Sequence, residues 1–429
     1  MKLYLSFAYL NFVLLCIYVI GLELFIPFEF IQYIDEILLI ISLFSIFFQF
    51  GNKHTKFKLC FFIYLVYCVF NYFISPFSNS FVMMFMQSII TLKVIIVTFA
   101  ISVNYRNLKS IELRNRIYKR VRIVAFFFSL LLFVTLILNF VLGEIWMNMW
   151  NLPILYRNNI IRVFCFFRNG GAVGYFIAFI VPVLYYLNHE RKFMFSNVLM
   201  LLFIVFILAI VTSYRKLLLI ALPLIIFYVQ QANIPLKKKV VIYLLPVIFI
   251  LGLYQSLGDS YFEETYSDIS NFATADSSYL RGLLFYNGFV LAGMMFPVGT
   301  GAATFGTVYS QFNTLKAYEE VGMEHWVLNI NGDGAAIYDN YFGSLIAEYG
   351  FGGFCIIVIL FSLLYKSIAR QLPYSRLFIF NITFFYLLLS SFSGSLLSAA
   401  EGVMIYSMTI LLILGRYEDI SNFQYVSNR

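Results

Sequence analysis

Charge is scarce in this 429-residue chain. Only 12% of its residues are Asp, Glu, Lys or Arg, and 62% are hydrophobic, against about 25% and about 45–50% in soluble domains. That leaves too little polar surface to cover the two or three soluble domains such a length would otherwise suggest. Histidine occurs three times and cysteine five times. His54, His189 and His325 lie far apart, which argues against a His-based zinc site, where several ligands must converge. Cys16, Cys60, Cys68 and Cys355 fall in apolar stretches and Cys165 stands alone between two of them. There is therefore no CxxC pair and no disulfide framework. Internal repeats and Pro- or Ser-rich linkers are missing, and so is the inverted-repeat symmetry common in secondary transporters.

What the chain has instead is apolar runs long enough to cross a bilayer, each needing about 20 residues. They fall at about 4–26, 30–50, 58–75, 81–103, 122–143, 171–188, 194–212, 217–232, 240–256, 340–365, 376–395 and 402–415. The first is longer than the apolar core of a cleaved signal peptide, and no small-residue cleavage site follows it. The pattern predicts an all-α polytopic membrane protein of about twelve spans. Nine would lie in residues 1–256 and three in 337–429, on either side of a loop at 257–336. Tyr279 to Phe296, within that loop, reads as an interfacial or re-entrant helix.

Basic residues fix the expected orientation. The net charge of +8 is no nucleic-acid signal here, because Lys and Arg concentrate in the inner loops of membrane proteins. With both termini inside, seven of the 29 Lys and Arg residues face outward: Arg157, Arg162, Arg168, Arg215, Lys216, Arg281 and Lys316. Lys93 lies within a span, and all the others lie inside. Moving the frame by one helix would scramble this bias.

Outward-facing arginines are the exceptions that ask for a reason. Arg168 opens one span, Arg215 closes the next and Arg281 lies in the large loop, while Asp339 opens a later span. All four meet the same membrane face. Guanidinium groups at that level can grip a diphosphate through paired, charge-assisted hydrogen bonds. A snorkelling anchor is the plainer account of Arg157 and Arg162, and Asp339 could simply cap its helix. Glu348, two turns further in, must be costly or paired, for instance with an arginine. Lys93, Asp35 and Glu36 sit at membrane depth, where mutual pairing explains them as well as any function. The glycine-rich PVGTGAATFG, Pro297 to Gly306, could bring backbone N–H groups to a phosphate, although such stretches more often only turn the chain.

In order and spacing these elements resemble the O-antigen polymerase and ligase superfamily, the Wzy-type polymerases in particular. The resemblance rests on Arg168 with Gly170, Ser213 with Arg215, Arg281 followed by Pro297, Gly299 and Gly301, and Asp339–Asn340 with Glu348 and the Gly350/Gly352 pair. It covers roughly residues 165–365. It implies a GT-C-like membrane glycosyltransferase with a large periplasmic loop, set in a bacterial inner membrane and working without metal or cofactor. Donor and acceptor would both be oligosaccharides on undecaprenyl diphosphate, and a chain-length regulator is a further partner the family allows. Asp339, Arg215 and Arg281 would be catalytic, and Arg168, Asn340, Glu348, Gly299 and Gly301 would bind substrate. Ligases of the superfamily carry His–Asn where this chain has Asp339–Asn340, which favours a polymerase over a ligase. A lipid-linked oligosaccharide flippase is the competing class, and it predicts short outer loops and charges lining the bundle.

Overall fold

A computed structural model describes residues 2–23, 33–49, 54–150, 152, 154, 156–157, 160–161, 164–165, 170–190, 270, 280–323 and 340–415. The described part is all-helical except for one short antiparallel pairing, Tyr156–Arg157 with Ile160–Ile161. In chain order the helices are α1 (Lys2–Glu23), α2 (Ile34–Phe44, continued by a π-turn at Ser45–Gln49), α3 (Thr55–Ile74), α4 (Phe81–Thr91), α5 (Lys93–Asn107) and α6 (Ile111–Leu142). Then follow α7 (Glu144–Met149), α8 (Gly170–Glu190), α9 (Leu280–Met294), the short α10 (Ser310–Asn313) and α11 (Lys316–Glu320), α12 (Tyr341–Ala369), α13 (Tyr374–Ser390) and α14 (Ala400–Leu414).

Among the described residues three helical stretches are long and apolar enough to cross a membrane: Thr55–Ile74, Ile111–Asn139 and Tyr341–Ala369. The pair α4 and α5, bent by 50° at Leu92, makes a fourth if it is one broken span. Twelve runs were expected from hydropathy. Those at 194–212, 217–232 and 240–256 lie outside the described residues, and other runs yield shorter apolar helices. One reason is visible at 376–395, where α13 stops at Ser390 because a Ser- and Gly-containing turn begins. The connection expected between 103 and 122 shrinks for the opposite reason. Arg, Lys and Glu are good helix formers, and Ser110 caps α6 by accepting from Leu113 N at 3.3 Å. The basic run thus becomes the first turns of α6.

The bundle is organised around α5 and α14. Lys93–Tyr105 of α5 and Gly402–Leu414 of α14 are buried on every side, as expected of helices apolar all round that pack in a protein interior. α5 lies against α1, α2, α12 and α14, and α14 also meets α8. The last carbonyls of α14 are covered. Arg376 donates to Ile413 O at 3.3 Å, and Tyr105 OH donates to Gly415 O. A cation at a helix C-terminus also opposes the helix dipole.

Lys93 follows the bend directly. Its Nζ lies 2.5 Å from Asp35 and 3.1 Å from Glu36, and Lys93 and Asp35 are almost fully buried. The mutual pairing read from the sequence is therefore present. The bend also frees the carbonyl of Thr91, which accepts from Tyr341 OH of α12 at 2.6 Å. A broken helix inside a bundle needs such replacement partners.

Candidate functional site

Five of the eight residues singled out by the resemblance fall in one compact block made of α9, the 295–323 segment and the first turns of α12. These are Arg281, Gly299, Gly301, Asn340 and Glu348. Arg168, Arg215 and Asp339 lie outside the described residues. The block has its own small core, in which Leu284 and Leu291 of α9 meet Phe305, Tyr318 and Ala347.

The start of α12 sets one end of the block. Asn340 is the N-cap, its Oδ1 accepting from Gly343 N at 2.8 Å. The capping role open to Asp339 is thereby taken by its neighbour. The same side chain donates from Nδ2 to Arg281 O at 2.7 Å, so Asn340 and the partly buried Arg281 adjoin. From Tyr341 to Gly350 every residue of α12 is buried.

Half-way along, α12 and α9 touch backbone to backbone. A Cβ on Gly288 would run into the carbonyl of Gly343, and one on Gly343 would lie 2.9 Å from Leu284 O. Only glycine permits that approach.

Further in, α12 breaks. Gly350 has φ 58° and ψ −170°, a conformation that glycine adopts without a Cβ penalty. The break leaves carbonyls without their usual helical donors, and the turn after α9 supplies new ones. Thr300 N donates to Ala347 O at 2.8 Å and Gly301 N to Glu348 O at 2.9 Å. In return Gly352 N donates to Pro297 O at 3.1 Å. Residues of α3 complete the repair, Tyr67 OH donating to Tyr349 O at 2.8 Å and Asn71 Nδ2 to Glu348 O at 2.9 Å. Gly299, at φ 77°, lies so close that a Cβ there would meet the backbone of Gly350 and of Ala347.

Two expectations change here. The N–H groups of Gly299 and Gly301 point to Met295 O and Glu348 O, so the glycine-rich turn closes a gap in a helix and does not cradle a phosphate with those donors. Among the described residues Glu348 pairs with no arginine. Its side chain is fully buried, and Oε1 accepts from Thr304 N (2.9 Å), Phe305 N (3.2 Å) and Thr307 Oγ1 (2.7 Å). It holds the turn. Asn71, Thr304 and Thr307 went unnoticed in the sequence. Asn71 left a signal, being an amide inside the apolar run of α3. The threonines left none, because their role depends on a carboxylate more than forty residues away.

No family model matches the chain, and no curated protein is similar enough to count as a relative.

Proposed function

We propose that this chain is a polytopic inner-membrane glycosyltransferase, an O-antigen polymerase with about twelve spans and both termini in the cytoplasm. It joins oligosaccharide units carried on undecaprenyl diphosphate at the outer face of that membrane. One observation carries the reading. The Asn340 side chain is bonded to the main chain of Arg281, across 59 residues of sequence, which ties a guanidinium-bearing residue to the residue that follows Asp339 in the sequence. A carboxylate beside a cation at one membrane face is the pair that the chemistry needs.

In that chemistry an acceptor hydroxyl attacks the anomeric carbon of the donor sugar. The new glycosidic C–O bond forms as the bond to the diphosphate oxygen breaks. Asp339 accepts the hydroxyl proton as general base and later passes it to solvent. The departing diphosphate keeps the bonding pair, and Arg281, with Arg215 and Arg168, stabilises its growing negative charge. Arginine suits this because its planar fork donates two hydrogen bonds to one phosphate.

A second reading, a lipid-linked oligosaccharide flippase, is favoured by the buried Lys93–Asp35–Glu36 group beside the break between α4 and α5. Broken helices and intramembrane charges are features of transport paths. Deleting the gene in its host and running the lipopolysaccharide on a gel separates the readings. Loss of a polymerase leaves core plus a single repeat unit. Loss of a flippase leaves bare core, and so does loss of a ligase, which also strands finished polymer on its lipid carrier.

A further inference from the structure

Glu348 is an expensive residue to keep. An ionisable group inside a membrane protein normally pairs with a cation or serves a function, and among the described residues no Lys, Arg or His forms an ion pair with it. Its three donors all come from the stretch Thr304–Thr307 and all converge on one oxygen.

What the carboxyl group holds is not a separate loop. The 295–307 turn is the continuation of α9, and α9 carries Arg281 at its opposite end. The same two pieces are joined at two other levels. At the far end Asn340 Nδ2 holds Arg281 O. In the middle Gly288 backs onto Gly343, and Ser344 Oγ donates to Gly306 O at 2.6 Å. At the crossing itself the two glycines offer no side-chain knob against sliding, although Phe289 of α9 faces Phe351 of α12 further along. The Asn340 bond is a single neutral bond. The axial stop is strengthened at the turn, which is seated on α12 by the backbone bonds of Thr300, Gly301 and Pro297 and gripped again at Thr304–Thr307 by the Glu348 carboxyl group.

We propose that Glu348 is a positioning residue: by clamping Thr304, Phe305 and Thr307 it locks α9 lengthwise against α12, and so sets Arg281 relative to Asn340. This rests on the reading in which Arg281 and Asp339 do the chemistry. Misplacing a reacting group by about 1 Å is enough to lose roughly 10²-fold in rate. The clamp therefore matters out of proportion to its distance from those groups.

The test uses the full-length chain in lipid nanodiscs, with two measurements on each variant. One is amide hydrogen exchange across 300–308. The other is extension of a lipid-diphosphate-linked repeat unit. Glu348→Ala should speed exchange at Thr304 and Phe305 about tenfold or more, leave α5 and the far half of α12 protected, and slow extension about 100-fold. Glu348→Gln keeps an Oε1 acceptor, so it should retain protection and recover extension to within about tenfold of wild type. Thr307→Val removes one donor and leaves the carboxyl group in place, and should fall between the two in both measurements. Unchanged exchange in Glu348→Ala and Thr307→Val would mean that there is no clamp. Faster exchange with undiminished extension would mean that the clamp positions nothing. Full protection with extension abolished in Glu348→Gln would assign Glu348 a chemical role in place of a positional one. Normal extension in Arg281→Ala would sink the polymerase reading, and the positioning role with it, while the exchange data would still decide whether the clamp exists.

Discussion

At the scale of single residues, the N-cap assignment sharpens what Asp339 can be asked. The helix start is held by Asn340, so Asp339→Asn removes a proton acceptor and leaves the cap intact. Normal membrane abundance with polymerisation reduced about 10²–10⁴-fold is the expected result, read as a lipopolysaccharide ladder collapsed to one repeat. A full ladder would remove Asp339 from the mechanism. Asn340→Asp is the companion variant. Aspartate caps as well as asparagine, so helix stability should hold, but the donor to Arg281 O is gone. Extension should then fall without loss of protein, and an unchanged rate would show that the Asn340 link to Arg281 has no functional weight.

Lys93 belongs to the same scale. Removing one partner of a buried ion pair leaves a charge unmatched, at about 3–5 kcal/mol. Lys93→Met should therefore lower the unfolding temperature in detergent markedly. Adding Asp35→Leu and Glu36→Gln should restore much of that loss, since the three groups then vanish together. A flippase that moves ions through this group would lose transport in the triple variant even though stability returns.

At the scale of helices, the contact between α9 and α12 provides its own control. Gly288 and Gly293 both lie in α9, yet a Cβ on Gly288 meets the carbonyl of Gly343 and a Cβ on Gly293 meets nothing within 4 Å. Gly293→Ala should be neutral or slightly stabilising, because alanine favours helix by up to about 1 kcal/mol over glycine. Gly288→Ala should destabilise by about 1–3 kcal/mol, the usual cost of forcing atoms into a packed contact. Equal unfolding temperatures for the two variants would mean that the helices do not cross at Gly288.

At the scale of the whole molecule, the proposed topology makes a direct forecast. In intact cells, single cysteines placed in 260–330 should react with an impermeant thiol reagent, and those in 107–118 should not. Outside labelling of 107–118 would invert the orientation and remove the active-site proposal. Every described apolar helix lies on a run that hydropathy had marked, because a span has to be written as continuous apolar sequence. Lys93, Asp35 and Glu36 were legible as partners for a related reason: charges within spans are so few that they find one another. Glu348 was only half legible. Its depth demanded a partner, but backbone N–H groups carry no sequence signature, so an arginine was the natural guess. The PVGTGAATFG glycines were likewise visible as a place where backbone comes close to something. That the something includes the broken turn of α12 at Gly350 is a contact between distant segments that spacing alone does not encode.

The length of α6 has a consequence for how the molecule sits in lipid. Its 32 residues reach about 48 Å at 1.5 Å each, while the hydrocarbon layer is about 30 Å thick. The surplus has to protrude, and the polar end is the first turns, where Arg116, Lys119 and Arg120 are exposed. Arg120 is also bonded to Asn11 of α1 at 2.6 Å, which ties this overhang to a second helix. α6 thus behaves as a gauge rod with a cationic collar. Anionic headgroups gather at such a collar, at about 1 kcal/mol per basic residue near the surface. They fix the depth of immersion from one side only, so a thicker or thinner bilayer would shift the opposite end of the helix and leave the collar in place.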